Sequence, residues 1–148
     1  MSSVEKVVQT SNQLITNYGT SKFLLGNNEF NKGNLTASGA DVELTEGLVM
    51  GRISATGLLT PLTIAATDGS QYPVGICIKD KTVSDGDTEE IVVVNKGRVN
   101  EDKITFSTGD MNSAIGAANN QKILRDWLND LGLVLISAEE LTGYDNYL

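Results

Sequence analysis

Asp85-Gly86-Asp87-Thr88-Glu89-Glu90 brings four carboxylates into six residues. Hard cations take such oxygens as ligands. A calcium loop of the EF-hand kind starting at Asp85 would need glycine at its sixth position and glutamate at its twelfth. Glu90 and Lys96 stand there, so that motif fails. A looser cation site and a solvated hairpin turn both stay open, and the Asp-Gly pair, which tolerates positive φ, favours the turn. Cys77 is the single cysteine, and the chain has no histidine. Internal disulfides and zinc clusters are thereby excluded, and the thiol has no imidazole to activate it. Between Ile76 and Ile78 it is expected to be a buried apolar side chain. Gly51 to Gly57 lacks the Gly-Lys-Ser/Thr ending of a phosphate loop. Asn34-Leu35-Thr36 matches a glycosylation sequon, but Met1–Lys6 shows no secretory leader and the match is expected to be accidental. Carboxylates are plentiful, yet nothing in the pattern places two of them in an apolar cleft where a pKa would shift usefully. No catalytic residue, cofactor site or metal site is expected.

The elements that carry these residues are mostly strands. Gly47–Gly57 reads as a strand closed by a glycine turn, Tyr72–Ile78 as a second strand and Ile91–Val94 as a third. Their β-branched residues suit a pleated, half-buried surface, and Asp68-Gly69 and Asp85-Gly86 suit tight turns. Leu58–Ile64 supplies an irregular strand in which Pro61, like Pro73 later, is confined to an edge, a strand start or a bulge. Gly97–Asn100 ends the sheet, and Ile104–Phe106 is a short extended piece. Thr108-Gly109-Asp110 offers capping oxygens before apolar residues at helical spacing from Met111 to Leu131, with Gln121–Leu131 the stronger part. Gly132 suits the left-handed position after a helix, and Leu133–Ile136 is long enough only for a last strand. Trp127 is expected in the core, with ligand stacking the lesser reading.

At 148 residues, 40% hydrophobic and 20% charged, the chain fits one domain with its own core. No apolar run approaches the roughly 18–20 residues of a membrane span, so neither a membrane nor a secretory route is expected. The net charge is −8. Residues 1–40 hold three lysines against two glutamates, so the acid lies in the rest of the chain. Clustered Lys and Arg for phosphate contacts are missing, which argues against direct nucleic-acid binding. An acidic body favours solubility.

Residues 1–40 differ in texture: Asn, Ser, Thr and Gly are frequent, and apolar residues come in short groups without a sustained period. An extended arm is expected, ordered on a partner by strand hydrogen bonds and by side chains in grooves. Its candidate contacts are Val7, Val8, Leu14, Ile15, Tyr18, Phe23, Leu24, Leu25 and Phe30. The expected architecture is α+β, mainly β: a small sheet or barrel-like core with one C-terminal helix. The arm spans residues 1–40, the core domain 41–137 and a polar tail 138–148.

Six of these stretches, in order and spacing, resemble the lambda-type phage head decoration proteins. They are Gly47–Gly57 with its Met-Gly-Arg-Ile-Ser-Ala-Thr-Gly ending, Ala66–Ser70, Pro73–Ile78, Asp85–Glu89, Val92–Asn100 and Leu131–Val134. The resemblance covers about residues 45 to 136. It implies a homotrimer on the outer capsid surface that binds the major capsid protein and stabilises the expanded shell, made in the host cytoplasm and lacking catalysis and cofactor. Phe106-Ser107-Thr108-Gly109 departs from the aromatic-Pro-Ala-Gly run usual there, and both the arm and the tail are longer than usual. The rival expectation is a non-catalytic carbohydrate- or cation-binding β module of a larger assembly.

Overall fold

The computed structural model describes residues 22–115 and 122–137. Its spine is β7 (Thr88–Asn100), whose Ile91-Val92-Val93-Val94 run is apolar on both faces. Neighbouring residues on a strand point to opposite faces, and β7 divides the interior accordingly. Ile91 and Val93 enter one cluster with Leu35, Leu44, Met50, Leu59, Cys77 and Val83. Val94 and Val99 enter another with Phe23, Val49, Leu62, Ile76, Leu124 and Leu128. Burying each such aliphatic side chain is worth about 1.5–3 kcal/mol, so β7 is the strand the fold can least lose.

Five strands lie in the order β1 (Leu24–Thr36), β7, β5 (Pro73–Cys77), β3 (Val49–Arg52), β4 (Leu59–Pro61), all antiparallel to their neighbours. Pro73 opens β5 and Pro61 closes β4 on the sheet edge, where a missing N–H costs no ladder bond. The sheet curls until β1 comes over β4: a Cβ on Gly33 would stand 2.7 Å from Leu59 Cγ. Loop residues are equally close elsewhere. A Cβ on Gly51 would lie 2.3 Å from the Ser70 carbonyl oxygen, so the Asp68–Ser70 turn packs directly on β3. A separate ribbon of β2 (Val42–Leu44) and β6 (Lys81–Val83) covers the first cluster through Leu44 and Val83.

The helix α1 (Leu124–Leu131) covers the second cluster with Leu124 and Leu128. No side chain caps its start; instead Leu124 N donates to the Ser113 carbonyl at 2.9 Å and Arg125 N to the Met111 carbonyl at 3.0 Å. It ends at Gly132, φ 111°, as its sequence requires. The chain then runs into β10 (Leu133–Ile136), parallel to β7, with Leu133 opposite Gly97 and Val134 opposite Arg98.

Two expectations are corrected. The helix is shorter than Met111–Leu131: residues 111–113 form a turn, and β8 (Ala114–Ile115) pairs with β9 (Lys122–Ile123). Thr108-Gly109-Asp110 caps no helix. Asp110 Oδ1 accepts from Asn112 N, and Thr108 Oγ1 accepts from Ile64 N, so both tie down loops. The arm, too, does not reach residue 40. Residues 24–36 are β1, paired with β7 from Leu24–Val99 to Thr36–Thr88. Phe23 and Leu35 are 1% exposed, which makes the two ends of this stretch core.

Candidate functional site

The arm candidates separate by position. Val7, Val8, Leu14, Ile15 and Tyr18 lie outside the described residues. Phe23 and Leu25 are buried and the partly buried Leu24 packs against the core, so these three help hold the body together. Phe30 is different: it lies mid-strand opposite Val94 and is 50% exposed. The root of the arm is fixed by Asn100, which is 1% exposed and donates from Nδ2 to the Lys22 carbonyl at 3.2 Å. Lys22, the first described residue, is thereby held at the end of β7 where β10 lies.

The acidic stretch at Asp85 works as a cross-link between loops. Asp85 Oδ1 accepts from Gly39 N and Asp41 Oδ1 from Asp85 N, each at 2.8 Å. Gly86 N donates to the Ala37 carbonyl, and Ala37 N donates back to the Asp87 carbonyl. The two charged side chains accept backbone N–H groups instead of converging on one point. Among the described residues no three carboxylate, thiol or imidazole groups are placed to share a metal.

Cys77 is buried, its Sγ donating to the Lys79 carbonyl at 3.1 Å, and burial pushes the thiol pKa up. A groove of about 250 Å³ opens beside it where β5 and β7 diverge, lined by Ile78, Lys79, Lys81, Glu90 and Val92. Lys81, on the wall of this groove, pairs with Glu89 at 3.2 Å. Trp127 lies half-buried on α1 with its ring 4.9 Å from that of Tyr72 and the Lys122 ammonium 4.4 Å from its centre. Lys122 also pairs with Asp130. The indole thus belongs partly to the core and partly to a small aromatic surface, and its buried Nε1 has no hydrogen-bond partner among the described residues.

Charge is segregated in a way no single stretch of sequence displays. The β2–β6 ribbon and its flanks bring together Asp41, Glu43, Glu46, Asp80, Asp85 and Asp87, with Glu89 and Glu90 at the start of β7. The far end of β7 carries Lys96 and Arg98 instead, both exposed. Sequence reading weighed the acidic turn for a ligand and passed over these two cations. The order Thr-Glu-Glu to Lys-Gly-Arg along β7 was the available signal; the strand β10 beside them was the part it could not supply.

The described residues thus form a curled antiparallel sheet with one α-helix packed across it. The family model for bacteriophage lambda head decoration protein D matches residues 16–122, well over half of the chain. The chain belongs to this family. It is a structural protein of a phage head, as the six sequence stretches implied. The family match takes in β1 and the last residues before it, whereas the resemblance read from motifs began near residue 45. It stops at the start of β9, so α1 and β10 lie beyond it. No curated protein matches the chain.

Proposed function

We propose that this decoration protein assembles as a homotrimer on the outer surface of the capsid, binds the major capsid protein and stabilises the expanded shell. The observation that carries the reading is the family match across residues 16–122. The stabilisation is mass action: a partner that binds only the expanded lattice lowers the free energy of that state. Many copies on a symmetric lattice then reinforce one another. Capsid affinity resides in the arm, now confined to residues 1–21, with Val7, Val8, Leu14, Ile15 and Tyr18 as its apolar contacts and exposed Phe30 as a contact on the body. The protein performs no catalysis and uses no cofactor in this role.

The test is twofold. Native mass spectrometry of the purified chain is expected to give a trimer, and a pelleting assay with expanded empty shells of its own phage is expected to saturate. Monomer throughout the micromolar range, together with no binding to shells, would overturn the proposal. Affinity for oligosaccharides or divalent cations in their place would favour a ligand-binding β module.

A further inference from the structure

We propose that the surface around β10, carrying Lys96, Arg98 and Val134, docks against carboxylates of the major capsid protein. The inference rests on the decoration reading and adds to the arm a contact made by the folded body. Arg98 is the register partner of Val134, and both are exposed, Val134 to 51%. The stem of Lys96 lies along the head of β10, since a Cβ on Gly132 would stand 3.0 Å from Lys96 Cγ. Two cations thus flank one exposed aliphatic side chain on a single short strand.

Among the described residues neither cation has an ion-pair partner, although Glu29 is in register with Lys96 and acidic residues outnumber basic ones across the chain. Most carboxylates lie at the other end of β7, on the ribbon and its flanks, while at this end Glu101 and Asp102 follow β7 and Arg125 pairs with Glu101. An acidic protein approaching a surface is turned by its own field, so that its less acidic end leads toward negative partners. This end is also where Asn100 fixes Lys22, the residue that follows the proposed capsid-binding arm in the chain. An arm engaged on the shell brings β10, with Lys96 and Arg98 of β7 beside it, against that same surface. Unpaired cations beside an apolar contact then have an acidic partner to meet, and displacing water there strengthens each pairing.

The experiment uses the full chain with Lys96→Glu and Arg98→Glu together, and expanded empty shells of the same phage as the probe. Circular dichroism and native mass should match the parent. Shell affinity at low salt should fall by at least roughly tenfold, and the dependence on salt that the parent shows should flatten. The neutral pair Lys96→Gln and Arg98→Gln covers the case in which the reversed charges impair folding, and should give the same direction with a smaller loss. Replacing Glu43, exposed on the ribbon, with Lys should leave affinity intact. Parent-like binding by the folded charge variants would overturn the proposal while leaving the arm's role standing. Loss of self-association in the variants would also overturn it, by assigning β10 to contacts between copies. A parent chain that binds no shells would remove the decoration reading and this inference together.

Discussion

Trp127 joins two environments, one wall against the helix-side core and the other against Tyr72 and Lys122. Emptying a fully buried large aromatic site costs about 3–5 kcal/mol. For this half-buried ring Trp127→Ala is expected to cost about 2–3 kcal/mol, below that range because part of its surface never left water. Urea unfolding measures it, and a loss under about 1 kcal/mol, the size of an ordinary surface change, would place the ring outside the core. Cys77 yields a prediction in pH. Desolvation holds its thiol above its ordinary value near 9.0, so the folded state keeps the proton where the unfolded state releases it. Protons bound by the unfolded chain then number fewer than those bound by the native one, and stability falls as pH rises through and above about 9. Unfolding curves of the parent and of Cys77→Ala should therefore converge between about pH 8 and about pH 10 as the parent loses this contribution. Parallel curves would mean the thiol ionises freely in the native state.

At the level of elements, β1 decides where the body begins. Its pairing with β7 and the burial of Leu35 within it and Phe23 just before it make it indispensable. A truncation lacking residues 1–21 should keep the circular dichroism and melting temperature of the parent. One lacking residues 1–36 should be unfolded or aggregated, because β7 loses a whole edge and one cluster loses Leu35. A cooperative melt in the longer truncation would return β1 to the arm. The reason β1 was hard to read is physical. Glu29, Phe30, Asn31 and Lys32 are all exposed, so the middle of the strand carries no alternation, and only its ends are anchored in the core. Val49–Arg52, Pro73–Cys77 and Ile91–Val94 were legible because burial on one or both faces imposes an apolar pattern. Gly132 announced the end of α1, but the spacing from Met111 onward mimicked a helix where carbonyls from a turn actually receive the first helical N–H groups. Of the surface, the acidic turn was visible and its cross-linking role was not. Gly39 and Asp41, which it engages, are more than forty residues away.

Across the whole molecule, carboxylates cross-link loops at one end and cations stand exposed at the other, with no convergence on a metal among the described residues. Treatment with EDTA should therefore leave the melting temperature unchanged, and a drop of many degrees would reveal a cation bridging the acidic ribbon. One further consequence follows from the antiparallel seam between β1 and β7. A pull transmitted through the chain before Lys22 enters β1 at its tip and runs along the strand axis. The bonds from Leu24–Val99 to Thr36–Thr88 then carry the load side by side, in shear, so they cannot be peeled off one at a time. Slack is supplied first by the irregular register between Leu24 and Phe30, nearest the point of loading. A body pulled this way would yield a little at the point of loading and then hold.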